Sequence, residues 1–260
     1  MSMITLTTDF GTRDWFVGTM KGVIAGLAPE ARLIDLTHEV PPGDIRGGAF
    51  ALAAAAPFFG AGTIHVAVVD PGVGSRRRAI AIRSKEAVFV GPDNGVLSWA
   101  LRDAQVEETR SLDNREWFLD PVSRTFHGRD IFAPVAARLA AGALFAEAGD
   151  PTDEYVRLPW PPVHRRENGL SGEILYVDRF GNAITNLPAA KLAPEALANG
   201  EVHLRCGALH IPLCRCYADA PVGSPVAVAG SGGLLELAIN GGDFATHHGL
   251  AEGTPVEARW

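Results

Sequence analysis

The stretch Ile4-Thr-Leu-Thr7-Thr8-Asp9-Phe10-Gly11-Thr12-Arg13-Asp14-Trp15-Phe16-Val-Gly18-Thr-Met20-Lys-Gly22-Val23-Ile24-Ala-Gly26-Leu27 changes its period once along its length. Ile4–Thr7 reads as a short buried strand that runs directly into a turn at Asp9. Over Asp14–Leu27 the apolar Trp15, Phe16, Met20, Val23 and Ile24 fall on one side of a 3.6-residue repeat, which predicts a helix. Gly18, Gly22 and Gly26 recur every fourth residue on it, a small-residue stripe expected to pack closely on a sheet. Strand, turn and helix in succession are the unit from which α/β sheets are built.

The pattern continues outward. Arg32–Leu36 reads as a second strand and Ile45–Phe58 as an Ala-rich helix. Thr63–Val69 is a third strand, through Ile64, Val66, Val68 and Val69, with further strands expected at Arg78–Arg83 and Ala87–Val90. Arg129–Ala141 reads as a helix with Ile131, Phe132, Val135, Ala136 and Leu139 on one face, and Pro134 inside it predicts an irregular first turn. The fold class is therefore α/β, a mostly parallel sheet with flanking helices. Near residue 150 the pattern changes. Pro151, Pro159, Pro161 and Pro162 crowd into Asp150–Asn168, a natural connector. Beyond it come short, turn-separated strands: Glu173–Asp178, Val202–Arg205, Leu209–Leu213, Pro225–Ala229, Leu234–Ile239 and Val256–Trp260. These predict a smaller all-β unit, barrel-like or a sandwich. The expected division is an α/β domain over 1–156, a linker over 157–169 and a β domain over 170–260.

Composition narrows the function classes. A chain of 260 residues, 47% hydrophobic and 20% charged, can bury a full core and is not disordered. Its longest apolar runs, such as Ala49–Gly60 with Pro57 inside, fall short of a membrane span. No signal peptide opens it, and three cysteines confined to Cys206–Cys216 imply no disulfide framework, so a soluble cytoplasmic protein is expected. A net charge of −7 argues against a nucleic-acid partner. The 29 glycines and 18 prolines follow no collagen period, and so mark turns and close backbone approaches.

Four Gly- and Asp-rich clusters stand where strands end or helices begin, the positions at which open α/β sheets build sites. They are Thr7-Thr8-Asp9-Phe10-Gly11-Thr12-Arg13-Asp14, Val69-Asp70-Pro71-Gly72-Val73-Gly74-Ser75-Arg76-Arg77-Arg78, Phe126-His127-Gly128-Arg129-Asp130, and Asp178-Arg179-Phe180-Gly181-Asn182 with Thr185 and Asn186. Each also has a plain structural reading. Asp14 and Asp130 suit helix N-caps, Asp70-Pro-Gly suits a turn, consecutive arginines suit a solvated face, and a single His such as His127 is commonly structural. His203, Cys206, Cys214 and Cys216 lack zinc-ligand spacing, so no metal is expected. The signatures of kinases, dinucleotide folds, P-loops and serine nucleophile elbows are missing or out of order. Asp, Arg and His at the ends of separate elements suit a reaction in which water is positioned and its attack supported electrostatically.

Taken together, Thr7-Thr8-Asp9-Phe10-Gly11, Asp70-Pro-Gly-Val-Gly74 with Arg77, Phe126-His127-Gly128 and Asp178-Arg-Phe-Gly-Asn182 resemble the S-adenosyl-L-methionine hydroxide adenosyltransferases, or SAM hydrolases, in order and over essentially the whole chain. A fluorinase and a chlorinase are relatives of that family. The resemblance implies displacement of methionine from the 5′ carbon of S-adenosyl-L-methionine by water or hydroxide, with no cofactor. It implies a polar triad of Asp70, Arg77 and His127. It assigns Asp9 to the ribose hydroxyls, Asn182 to adenine, Asp178 and Asp14 to the methionine ammonium, and Ser231, Glu236 and Ile239 to a C-terminal ligand segment. It also implies a homotrimer in which the N-terminal domain of one subunit meets the C-terminal domain of its neighbour. One departure is Gly230, where the family often has Asn, which leaves backbone N–H groups to hold the methionine carboxylate. The alternatives are a SAM-dependent halogenase, against which Asp70 and Gly128 argue, a non-catalytic adenosine or SAM-binding protein, which would not need Arg77 or His127, and an unrelated α/β nucleoside hydrolase.

Overall fold

The structure is a computed structural model that describes residues 2–260. The chain forms two compact units that divide between Leu158 and Pro159.

The first unit is built on a six-stranded sheet. Its elements in chain order are β1 (Met3–Thr8), α1 (Phe16–Leu27), β2 (Arg32–Thr37), α2 (Ile45–Ala55), β3 (Thr63–Val68), β4 (Ala79–Ser84), β5 (Ala87–Pro92), β6 (Val106–Ser111) and α3 (Ala133–Ala140). The sheet order is β2-β1-β3-β5-β4-β6. The β1–β2, β1–β3 and β3–β5 pairs are parallel, while β4 runs antiparallel to both β5 and β6. Both faces of the central strands are buried, as parallel strands between helices require. Ile4, Leu6, Ile64, Val66 and Val68 enter one core with Met20 and Ile24 of α1 and Val135 and Ala136 of α3. Ala67 and Val69 enter the other with Leu52 of α2.

Local chemistry sets the element ends. Asp44 caps α2 by accepting from Gly47 N at 2.9 Å. Helix α1 begins at Phe16, with Trp15 at its N-cap and no side-chain cap, so the capping role open to Asp14 is not taken up. Two expectations for α1 are corrected. Trp15 is 69% exposed rather than on the apolar face. Gly18, Gly22 and Gly26 lie on the exposed side, where an added Cβ would meet nothing within 4 Å, so the stripe does not pack on the sheet. The buried face is carried by Val17, Met20 and Ile24. The irregular start of the last helix is present as a π-helical turn over Gly128–Phe132, and Pro134 falls in the first turn of α3, where its missing N–H costs nothing. Strand β6 (Val-Glu-Glu-Thr-Arg-Ser) gave no hydrophobic signal because it is an edge strand with its outer side in solvent.

The second unit comprises β7 (His164–Arg166), β8 (Gly169–Val177), β9 (Ala183–Pro188), α4 (Pro194–Asn199), β10 (His203–Cys206), β11 (Leu209–Cys214), β12 (Pro225–Ala229), β13 (Leu234–Ile239), α5 (Phe244–His248) and β14 (Pro255–Arg259). The order β14-β10-β11-β12-β13-β9-β8 closes because β8 also pairs with β14, giving a seven-stranded barrel with β7 added on β8. Closure removes the open edges a flat sheet would expose. Leu170, Ile174, Leu204, Ile211, Leu237 and Val256 are among the side chains that fill its interior. The Pro-rich stretch after the division is tied to this unit, where Asn186 Nδ2 donates to Pro161 O at 3.0 Å.

Candidate active site

The topology of the first unit brings three separated clusters to one edge of the sheet. Strands β1 and β3 are parallel neighbours in register Thr8↔Val68, so Asp9 and Asp70 emerge side by side at the carboxyl edge. Strand β4 is antiparallel to β5, so its start, with Arg77 two residues before it, returns to that edge. His127 arrives from the turn that opens the last helical stretch.

Arg77 is the centre of the arrangement. Its Nε donates to Asp70 Oδ1 at 2.9 Å and Oδ2 at 3.0 Å, and its Nη2 donates to Oδ2 in a short bond. The same Nη2 lies 2.7 Å from His127 Nδ1. Only 11% of the Arg77 side chain and 4% of the Asp70 side chain are exposed, so the pair is shielded from screening by water. The guanidinium also lies over the Phe132 ring, 5.4 Å from its centroid. The loop that carries Arg77 back is wound on itself. Val73 N donates to Asp70 O at 3.2 Å, and Arg77 N donates to Ser75 Oγ at 3.2 Å. Gly74 has φ +76°, and a Cβ there would overlap the Arg124 carbonyl oxygen, so the position requires glycine on both grounds.

A guanidinium has no acceptor, so His127 Nδ1 must be the acceptor and the neutral ring carries its proton on Nε2. Burial and then the charge of Arg77 pull the imidazole below the ordinary His value of 6.5, while Asp70, Asp130 and the Ser123 backbone oppose them. Asp9 accepts from Gly43 N at 2.8 Å through Oδ2. Burial, reinforced by the neighbouring charge of Asp70, raises its carboxyl above the ordinary Asp value despite that bond. Thr8, beside it, is fixed by His38 Nδ1 at 2.8 Å, and Gly11 N donates to His38 O at 2.8 Å, so the turn after β1 is held on both sides of Asp9.

These groups wall a cavity of about 310 Å³, lined by Asp9, Asp70 and His127 and by the apolar Phe10, Phe16 and Phe126 among others. The three phenylalanines form an aromatic cluster with centroid separations of 5.9, 5.8 and 5.1 Å. Next to His127, a Cβ on Gly128 would stand 3.1 to 3.3 Å from Met20 Sδ and the Phe126 and Phe10 rings. Glycine there lets the turn close against them. Asp14 is exposed and does not line the cavity.

In the barrel, Asp178 and Asn182 lie in the turn between β8 and β9. Asp178 Oδ1 accepts from Phe180 N at 2.8 Å and Asn182 N at 2.9 Å, and Oδ2 accepts from Asn182 Nδ2 at 3.0 Å. Asp178 therefore shapes the turn and orients the Asn182 amide. Gly181 has φ +78°, and a Cβ there would overlap Asp243, so this turn too requires glycine. Glu236, 9% exposed on β13, accepts from Tyr217 Oη at 2.8 Å through Oε2. Burial, helped by the charge of Asp178, pushes its carboxyl up, and the Tyr217 bond opposes this. Ser231 is exposed in the turn between β12 and β13, while Ile239 closes the far end of β13 with its side chain in the barrel core. The structure thus places Ser231 and Ile239 at opposite ends of one strand. Gly230 N and Gly233 N are both spent inside the turn, on Leu234 O and Gly230 O. Among the described residues no group of three or more His, Cys, Asp or Glu is placed to hold a metal ion.

Sequence reasoning missed Gly43, Phe16 and Tyr217, and it quoted Phe10 and Phe126 in the clusters without assigning them a role. Gly43 acts through its backbone and leaves no side-chain signal. The phenylalanines flank Asp9 and His127 in chain order, which was the available clue.

An α/β sheet whose carboxyl edge carries an acid–guanidinium–imidazole chain over an aromatic cavity, together with a closed β-barrel, defines a two-unit enzyme for a small organic substrate. Residues 4–149 match the family model described as SAM hydroxide adenosyltransferase N-terminal domain, and residues 172–257 match that of the C-terminal domain. The chain belongs to the SAM hydroxide adenosyltransferase family. It is 47% identical to the (R)-S-adenosyl-L-methionine hydrolase of Salinispora arenicola, over 93% of this chain and 92% of that protein. It is more distantly similar to a fluorinase from an Actinoplanes species, at 29% identity over 98% of this chain and 96% of the other. Among solved structures, an uncharacterized conserved protein from Thermotoga maritima superposes with a TM-score of 0.91 at 36% identity, covering 98% of this chain and all of that one.

Proposed function

We propose that the protein hydrolyses S-adenosyl-L-methionine to adenosine and L-methionine by attack of water on the ribose 5′ carbon. The observation that carries this reading is the continuous hydrogen-bonded chain Asp70–Arg77–His127 on the cavity wall. As the C5′–O bond forms, the C5′–S bond breaks and sulfur keeps the electron pair. The sulfonium leaves as a neutral thioether, so no acid is required. The difficulty lies with water, which is a weak nucleophile and must lose a proton. Asp70 accepts that proton. Arg77 holds the carboxylate in one orientation by three N–H contacts, and His127 accepts from the Nη2 that is shared with Asp70. Such a site suits water better than a halide, which a facing carboxylate would repel.

Asp9 takes the ribose hydroxyls, its charge placed by Gly43, and the three phenylalanines shield the reacting carbon. Asn182 takes adenine with an amide already oriented by Asp178. Asp178, Asp14, Ser231, Glu236 and Ile239 complete the ligand set in our reading. Asp14 and Asp178 attract the methionine ammonium by charge. The ligand residues are divided between the two units, which supports a homotrimer with each site shared by two subunits. Three free cysteines fit a reducing compartment, the cytoplasm. No helix among the described residues is long and apolar enough to cross a membrane.

The test is incubation of the purified protein with S-adenosyl-L-methionine, with and without chloride or fluoride, followed by chromatography. Adenosine and methionine in equal amounts, unaffected by halide, are expected. A 5′-halo-adenosine would overturn the assignment, and tight binding without turnover would make the protein a binding module. Light scattering of the eluting protein checks the trimer.

A further inference from the structure

Asp130 is the most deeply buried carboxylate among the described residues, 1% exposed, and the reaction as derived makes no use of it. A helix N-cap would explain an exposed aspartate at this place, but Asp130 lies inside the π-helical turn Gly128–Phe132 and caps nothing. Its side chain reaches back across the loop that precedes His127. Oδ2 accepts from Ser123 N at 2.8 Å and from Arg129 Nη2 at 3.0 Å, and Oδ1 accepts from Arg129 Nε at 2.5 Å. Its backbone is fixed as well, since Asp130 N donates to Phe126 O at 3.2 Å and Leu119 N donates to Asp130 O at 2.9 Å. The Ser123 backbone and the charge of Asp130 both act on the His127 imidazole and favour its protonated form. One residue therefore holds Ser123 by its side chain and Phe126, the residue before His127, by its backbone, and so fixes both ends of the loop that leads into His127. π-Helical turns are rare and are frequent at functional sites. Burying a charge is expensive unless it is paired and hydrogen-bonded, and Arg129 and Ser123 N do both for Asp130.

We propose that Asp130 is the positioning residue of His127, acting through its hold on Ser123 and through its negative charge near the ring. Asp130 thus fixes the loop that ends at His127, and His127 in turn meets Arg77 and, through it, Asp70, the carboxylate that receives the water proton. The charged groups that face His127 are Arg77 and Asp70 from the β3–β4 loop and Asp130 from its own turn. Arg129 is spent on Asp130 and on the Phe126 ring, 5.3 Å from its centroid. Arg77 bonds only the neutral ring, so activity falls as His127 gains a proton. Removing the Asp130 charge makes that proton harder to add, which moves the loss to lower pH.

The inference rests on the proposed hydrolysis, and the experiment separates the two. Adenosine formation by the parent chain and by Asp130→Asn is followed from acid to neutral pH, with circular dichroism and thermal melting to show folding. Asn retains an acceptor for Ser123 N but no charge. The expected result is an acid limb of kcat/KM displaced to lower pH in D130N, with KM within about twofold of the parent. A folded D130N whose acid limb coincides with the parental one overturns the proposal. Should D130N fail to fold, Asp130→Glu keeps the charge but displaces the grip on Ser123. It should lower kcat several-fold with the acid limb in place, and parental kcat in D130E overturns the proposal. If the parent forms no adenosine, the function assigned above fails. Asp130 is then judged by the NMR titration of the His127 ring, whose midpoint must move down in D130N for the inference to stand.

Discussion

Arg77 Nη2 stands 2.7 Å from His127 Nδ1 while the same guanidinium grips both oxygens of Asp70, so one arginine couples its near neighbour in the chain to a histidine 50 residues further on. A lysine at this place would carry the charge but not the fork, since a single ammonium cannot reproduce the planar Nε/Nη2 edge that faces the carboxylate while its Nη2 also reaches the imidazole. Arg77→Lys should therefore fold and still bind substrate, yet lose about a hundredfold in kcat, the scale of a displaced proton acceptor. Steady-state kinetics alongside thermal melting check this. A rate within a factor of three of the parent would show that the clamp is not used in turnover.

The acidity of His127 follows from the same contact. Burial first, and the Arg77 charge second, hold the ring below the ordinary value of 6.5. The ring is neutral throughout the neutral range, and the arrangement breaks only when the pH falls low enough to protonate Nδ1. The kcat/KM profile should be flat through neutrality with an acid limb below pH 6.5. Arg77→Met, which removes the neighbouring cation, should move the His127 midpoint upward in an NMR titration. A midpoint that stays or falls would contradict the geometry.

How much of this was legible beforehand depends on which force fixed each residue. The parallel core strands announced themselves through Ile64, Val66 and Val68 because burial on both faces demands continuous apolar sequence. The turn residues Pro71, Gly72 and Gly74 made the bend after β3 legible, but by themselves they suit a plain turn, and Asp70 and Arg77 were singled out by the family resemblance. The contributions of Gly43 and Ser123 were not legible, because each acts through a backbone atom that any residue could supply. For Asp130 the sequence left a helix N-cap and a place in a chemical cluster both open, because a local pattern cannot reveal a partner that the tertiary fold brings to it. The glycine stripe of α1 was misread for a related reason. Periodicity defines a face but not what covers it, and here Val17, Met20 and Ile24 took the sheet side. Strand β7 was hidden inside a Pro- and Arg-rich connector because all three of its residues are exposed.

Acid stability should depend on a histidine remote from the cavity. His65 on β3 is 1% exposed, 2.8 Å by Nδ1 from Thr5 Oγ1 and stacked on Phe89 at 5.1 Å. Burial lowers its pKa from 6.5 to about 4. Between those values the unfolded chain binds the proton and the folded one does not, so stability is complete above pH 6.5 and lost as the pH falls toward 4. The loss amounts to about 3 kcal/mol. Urea unfolding of the parent at pH 7, 5.5 and 4 should show this slope. His65→Asn, which has no proton to gain, should be less stable at pH 7 but show a shallower decline. Parallel declines in the two proteins would exclude His65 as the cause.

The last prediction concerns the barrel. Glu236 is buried, and its two oxygens have different neighbours: Oε2 takes the Tyr217 hydroxyl, and Oε1 lies where a Cβ on Gly230 would be. Tyr217, itself pushed up to about 12 by burial first and by its bond to Glu236, stays protonated and donates at every working pH. If Glu236 holds substrate, Tyr217 fixes the direction of its free oxygen. Tyr217→Phe should then raise KM for S-adenosyl-L-methionine roughly tenfold, the scale of one hydrogen bond to a charged group, with kcat nearly unchanged. Gly230→Ala should do the same by pushing the carboxylate aside, because the end of a flexible side chain yields before the barrel does. Both variants should unfold at close to the parental temperature. A fall in kcat at constant KM would instead place this pair beside the reacting carbon, and unchanged kinetics in both would remove Glu236 from the ligand set.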